Sequence, residues 1–227
     1  MIGIFDSGAG GLAAYREARR MLPMANIIYL ADRKNAPYGI KSKDDIIRIV
    51  KNNIKRLSLM GAKKILIACG TASSVYPELS EFEQEISIPI IDPAAKEAAL
   101  IGGRCAVIAT NHTVSSHAFA GALAKISPSH KVLEIAAQIL VSLVEAGARD
   151  GALLPREEEI IDRLASRISD FEADSLILGC THFSHLEGEF RKRLRGVRII
   201  NPAKLGAKLL SIEYKKADGR GINIFTA

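Results

Sequence analysis

Two segments of the chain end alike. Lys64-Ile65-Leu66-Ile67-Ala68-Cys69-Gly70-Thr71 and Ser175-Leu176-Ile177-Leu178-Gly179-Cys180-Thr181-His182 each run an apolar stretch into a small residue, a cysteine and a threonine, and a helical pattern follows. A thiol at a strand-to-helix junction faces the positive end of the helix dipole. That setting favours the thiolate, which is the form that acts as base or nucleophile. A single cysteine so placed is as readily a small buried apolar residue. Its recurrence points to two duplicated halves, each presenting a thiol at the carboxyl end of a strand, where ligands of open α/β sheets bind. Cys105 starts a strand without a Cys-Thr context and reads as a packing residue. His182, two residues beyond Cys180, can hold or relay a proton near neutrality.

A second cluster follows the first strand. In Asp6-Ser7-Gly8-Ala9-Gly10-Gly11 the glycines let backbone N–H groups approach an anion, while Asp6 and Ser7 add a carboxylate and a hydroxyl. Ala13 stands where a dinucleotide fingerprint needs glycine, and no Gly-Lys-Ser/Thr follows, so the loop suits a small carboxylate better than a nucleotide. Asp32 follows the next strand, and Ala36-Pro37-Tyr38-Gly39 forms a turn able to lay a phenol and backbone amides over a cleft. Cys69, Cys180, His182 and His112 lack the spacing of a zinc site, so no metal is expected.

The elements that must position these groups are short β-branched runs alternating with longer helical stretches, the pattern of an α/β protein with largely parallel sheets. Strands are expected at Met1 to Phe5, Asn26 to Leu30, Lys64 to Ala68, Ile88 to Ile91, Cys105 to Ala109, Ser175 to Leu178 and Val197 to Ile200. Several are apolar nearly throughout, as strands covered on both faces must be. Asp44 to Met60 and Glu157 to Ile168 read as amphipathic surface helices, the latter starting after Pro155 with glutamates complementing its N-terminus.

Composition narrows the class. The 227 residues are 48% hydrophobic and 25% charged, as in ordinary globular proteins. Three cysteines do not make a disulfide framework, no leader pattern opens at Met1, and no apolar run is long enough to span a bilayer. The expectation is a reduced, cytoplasmic setting and no membrane partner. Thirty-one Lys and Arg against 25 Asp and Glu give a net charge of +6, gathered between Arg33 and Lys64 and between Arg191 and Arg198. With aromatic residues at 5% and no binding module, this excess reads as solvated helix faces rather than a nucleic-acid patch.

Together these motifs resemble glutamate racemases, within the cofactor-independent aspartate/glutamate racemase superfamily. The resemblance runs from Ile2 to about Leu210 through Phe5 to Leu12, Asp32 with Pro37-Tyr38-Gly39, Ala68 to Ser73, Thr110 to Ser115, Leu143-Val144-Glu145 and Leu178 to Phe183. It implies two pseudo-symmetric open α/β subdomains facing across a central cleft. Residues 1–92 plus 201–227 would form the first and 93–200 the second. It further implies inversion of glutamate without a cofactor, making D-glutamate for peptidoglycan, with Cys69 and Cys180 as opposed thiolate and thiol. Asp6 is expected to assist Cys69, and His182 to assist Cys180; Asp32 and Glu145 match accessory acidic positions. Ser7, Pro37, Tyr38, Gly39, Gly70, Thr71, Thr113 and Thr181 match positions that hold a dicarboxylic amino acid. The histidine after the second Cys-Thr is typical of glutamate rather than aspartate racemases.

The sequence departs from that pattern at named positions. Gly70 replaces the asparagine of a usual Cys-Asn-Thr, and a missing contact to a buried polar group costs about 1–3 kcal/mol. His112 replaces a usually small residue beside Thr113, where it is expected to narrow the site or supply a contact. Family members continue through another helix after the segment Ile222 to Ala227, so an apolar surface paired in a homodimer is expected. A racemase of aspartate or another amino acid, a cysteine hydrolase using Cys180 and His182, and a binding protein on a weakened racemase scaffold are the alternatives.

Overall fold

The computed structural model describes residues 1–146, 153–217 and 224–226. Among the described residues nine strands form two sheets in which every pairing is parallel. They are β1 (Ile2–Asp6), β2 (Ile27–Ala31), β3 (Lys64–Ile67), β4 (Ser87–Pro89), β5 (Arg104–Ala109), β6 (Lys131–Ala136), β7 (Ser175–Leu178), β8 (Arg198–Ile200) and β9 (Ile224–Thr226). The first sheet has the order β4-β3-β1-β2-β9 and the second β8-β7-β5-β6. Apart from the edge strand β9, adding four to each strand number of the first sheet generates the second. The duplication read from two cysteine segments therefore extends to the whole strand order.

This order decides where a ligand can sit. In each sheet the first strand, β1 or β5, has its successor on one side and the next strand but one on the other. The connections diverge there and leave a crevice beyond the carboxyl ends of β1 and β3, and another beyond β5 and β7. Equivalent bonds close both crevice floors: Ala68 N–H donates to Phe5 O at 2.9 Å and Gly179 N–H to Ile108 O at 2.8 Å.

The central strands are buried on both faces, which is why β1, β3 and β7 read as apolar runs. The helix Lys43–Leu59 turns Ile46, Ile49, Val50, Ile54 and Leu57 onto the first sheet, and Ser42 accepts from Asp45 N–H at its start. The helix Pro155–Asp170 covers the second sheet, and there one expected glutamate does something specific: Glu157 accepts from Leu154 N–H at 2.8 Å. The helix Pro202–Ala217 follows β8 and packs back on the first sheet's helix Leu12–Met21. Of the tail, residues 218–223 and 227 lie outside the described residues.

β6 and β9 are strands that no expected run covers. In β6 only Ile135 is buried, and Lys131 and Ala136 are exposed. An edge strand of this kind offers little hydrophobic pattern to read. Much of the basic excess is met by neighbouring acids, as in Arg48 with Asp45, Lys43 with Glu78, and Arg191 with Glu187. Among the described residues no helix is long and apolar enough to cross a membrane.

Candidate active site

Asp6 closes β1, and its side chain is fully buried where the two sheets face each other. Its Oδ1 accepts from Gly8 N–H at 2.9 Å, inside its own loop. Its Oδ2 accepts from Thr181 Oγ1 at 3.0 Å, across to the second sheet. Burial raises the Asp6 pKa, opposed by the charge of His182 and by hydrogen bonds from Gly8, Thr181 and Gly11. Tyr29 braces the same loop by donating to Gly8 O at 2.7 Å.

Cys69 and Cys180 occupy the equivalent positions predicted for them. Each caps the start of a short helix, Gly70–Ser73 after Cys69 and the 3₁₀ turn Thr181–Leu186 after Cys180. They are 5% and 6% exposed, and the thiols are near enough that charge on Cys69 disfavours charge on Cys180. Ser7 Oγ lies 3.9 Å from the Cys69 sulfur. Cys105 is fully buried in the second sheet's core, as its packing role requires.

The helix starts do not produce the low thiol pKa that the sequence suggests. Burial first, and the Asp6 charge second, push Cys69 up to about 12, although N–H groups of Ala72 and Thr71 and the Ser7 hydroxyl pull it down. Burial and then the Cys69 charge raise Cys180 well above an ordinary thiol, with the His182 N–H opposing. At both thiols desolvation outweighs the helix dipole. A thiolate formed from such a thiol is a stronger base than an exposed one.

Beside Cys180, His182 links the buried thiol to the surface. Its Nδ1 lies 3.6 Å from the Cys180 sulfur and its Nε2 lies 3.1 Å from Glu145 Oε1. The His182 side chain is 6% exposed and that of Glu145 55%. A proton can thus pass between sulfur and solvent through one ring.

Three threonines meet where the halves touch. Thr71 Oγ1 lies 2.8 Å from Thr110 Oγ1 and 3.2 Å from Thr113 Oγ1, and Thr110 and Thr113 are 2.9 Å apart. Thr71 and Thr113 were expected site residues; Thr110 joins them because its hydroxyl also caps the helix Asn111–Ser115. Across the same seam Gly39 lies against Thr110 and Gln138, and Gly70 against the Gly179 backbone.

One expectation needs correction. The Tyr38 phenol does not lie open to a ligand: it is 1% exposed and donates to Asp32 Oδ2 at 2.6 Å. Asn53, on the helix Lys43–Leu59, donates to both Asp32 and Tyr38 at 3.0 Å, and Asn35 donates to Asp32. Burial raises the Asp32 pKa, yet these hydrogen bonds hold it below an ordinary carboxylate. The Asp32 carboxylate therefore fixes the turn that carries Pro37, Tyr38 and Gly39, leaving that turn's backbone to face the seam. His112 lines an outer cavity of about 710 Å³, with Ser74, Lys96 and Lys125 among the other walls. Neither cysteine nor Asp6 lines that cavity. Asn53 escaped the sequence reading because a polar residue on an apolar helix face carries no local signal. Among the described residues no cluster of three or more His, Cys, Asp and Glu side chains suits a metal ion.

Comparison with known proteins agrees with this geometry. The Asp/Glu/Hydantoin racemase family model matches residues 11–210. The glutamate racemase of Clostridium acetobutylicum is 34% identical over 223 residues, 96% of this chain and 85% of that protein. That of Aquifex aeolicus is 35% identical over 227 residues, 97% of this chain and 85% of that protein. The crystal structure of glutamate racemase from Francisella tularensis in complex with D-glutamate superposes with a TM-score of 0.88 at 29% identity, covering 99% of this chain and 86% of that one. With a duplicated parallel sheet, a buried thiol at each crevice and a family match over most of its length, this chain belongs to the Asp/Glu/Hydantoin racemase family.

Proposed function

We propose that the protein interconverts L- and D-glutamate without a cofactor, using Cys69 and Cys180 as opposed proton carriers, and so supplies D-glutamate for peptidoglycan. The observation that carries this reading is the pair of buried thiols at equivalent strand ends of the two sheets. One base can remove a proton and return it only to the face it came from; inversion needs a donor on the other face.

For D-glutamate, the Cys69 thiolate takes the α-proton and the electron pair remains on the α-carbon, delocalised into the carboxylate. The Cys180 thiol then gives its proton to the opposite face. L-glutamate leaves with Cys69 as thiol and Cys180 as thiolate; the starting state returns when Cys69 gives its proton up to solvent and Cys180 takes one back through His182 and Glu145. For L-glutamate the roles exchange. Burial raises both thiols above an ordinary cysteine, and the α-ammonium of the substrate supplies positive charge that favours a thiolate. Asp6 makes the Cys69 thiolate more basic. Ser7, Thr71, Thr113, Thr181 and the backbone of Pro37, Tyr38, Gly39 and Gly70 hold the ammonium and carboxylates.

The test is incubation with L-glutamate in D₂O, following α-deuterium by NMR and loss of the circular dichroism of the amino acid. Cys69→Ser and Cys180→Ser should each abolish racemisation and keep the far-ultraviolet spectrum of the fold. Full activity in either variant refutes the two-thiol mechanism. Faster turnover of aspartate than of glutamate in a panel of amino acids refutes the substrate assignment alone.

A further inference from the structure

We infer that Gly70 is a positioning residue that sets how closely the two cysteine-bearing turns approach, and that any side chain there holds the site ajar. A β-carbon on Gly70 would run into the Gly179 carbonyl oxygen, deep inside van der Waals contact. Gly70 follows Cys69 and Gly179 precedes Cys180, so this contact lies between the two thiols' own backbones.

Neither backbone can step aside locally. Gly179 N–H is bonded to Ile108 O at 2.8 Å, and the space behind its α-carbon is filled by Ala109 Cβ and Phe119 Cε2, each 2.9 Å from where a β-carbon would sit. Gly70 is held by the bond from Ser74 N–H to its carbonyl at 3.0 Å. A flexible side chain in the way could rotate, but a backbone carbonyl just beyond β7, whose own N–H is bonded to Ile108 O, has no such freedom. A side chain at position 70 is accommodated only by parting the two halves. That parting would pull Thr71 from Thr110 and Thr113 and Thr181 from Asp6, and would admit water to sulfurs now 5% and 6% exposed.

Position 70 therefore has two opposed readings. If glycine is simply a lost contact, restoring the asparagine of the family pattern improves catalysis. If glycine permits closure, the asparagine impairs it. The kinetic consequence rests on the racemase reading above, whereas closure itself is measured without turnover.

The experiment uses the full chain without ligand, treated with iodoacetamide at fixed pH, with each cysteine's labelling rate read by peptide mass spectrometry. Gly70→Ala and Gly70→Asn should label Cys69 and Cys180 about tenfold faster or more than the unmodified protein, with Cys105 still silent as the internal check of folding. Steady-state kinetics with glutamate should show kcat falling by a larger factor than KM rises, since closure matters most at the transition state. Unchanged or slower labelling of both site cysteines in a folded variant overturns the inference, as does a rise in kcat/KM for Gly70→Asn. Labelling of Cys105 in both variants also overturns it, because Gly70 would then be needed for folding rather than closure. If the protein racemises nothing, the labelling rates still decide.

Discussion

Removing one oxygen, in Tyr38→Phe, tests the account of the turn over the site. The Tyr38 hydroxyl donates to the buried Asp32 carboxylate at 2.6 Å and accepts from Asn53 Nδ2 at 3.0 Å. The variant loses a hydrogen bond to a charged group and strands one buried amide hydrogen of Asn53, whose residue is fully buried. Asp32 keeps Asn35 and the other Asn53 hydrogen. These two losses sum to about 2–5 kcal/mol at neutral pH. For a chain of this size a central cost of about 3 kcal/mol lowers Tm by roughly 6–12 °C. The pH dependence has a definite sign. Burial raises the Asp32 pKa but its hydrogen bonds bring the folded value below 3.8, so its stabilisation is complete above the unfolded value and is lost as pH falls through the folded one. Without the phenol the folded value rises. The gap between native and variant should therefore be largest at neutral pH and narrow on acidification to a remainder set by Asn53. Thermal and urea denaturation of both proteins across pH 7 to pH 3.5 measure it. A difference in Tm below about 2 °C at pH 7, or a gap that widens on acidification, refutes the argument.

Two further outcomes follow from the site. With Cys69 pushed up to about 12, its alkylation in the ligand-free protein should rise about tenfold per pH unit with no plateau up to pH 10, whereas a plateau below that pH contradicts the dominance of burial. Thr181→Val keeps shape but removes the donor to Asp6 Oδ2; kcat/KM for glutamate should fall about 10- to 100-fold, equally in both directions because racemisation has an equilibrium constant of one, and full activity refutes a role for that contact.

Much of the candidate site is legible in linear order because its two cysteines follow strand ends. An apolar run followed by a cysteine and a threonine identifies β3 and β7 and dictates that their cysteines emerge at the carboxyl ends of the strands. His182 declared itself by adjacency to Cys180. What stayed hidden depends on contacts between distant segments. The same helix-start position that favours a thiolate is overruled by burial that only the packed halves create. The phenol of Tyr38 is taken by Asp32 because Asn53, on a helix otherwise facing the core, completes their network. Gly70 looks like a deficit until Gly179 is seen opposite it. β6 carries too little buried surface to announce itself.

The threonine cluster has a property that its distances conceal. Three hydroxyls, each with one hydrogen and spare lone pairs, close a triangle in which the hydrogens can all point clockwise or all anticlockwise. Reversing the circulation breaks no net bond and moves no heavy atom. Any one hydroxyl can turn its hydrogen outward toward a carboxylate while still accepting from a neighbour. Under the racemisation proposed above, such a ring would offer a hydrogen to either enantiomer, because its polarity has no fixed direction.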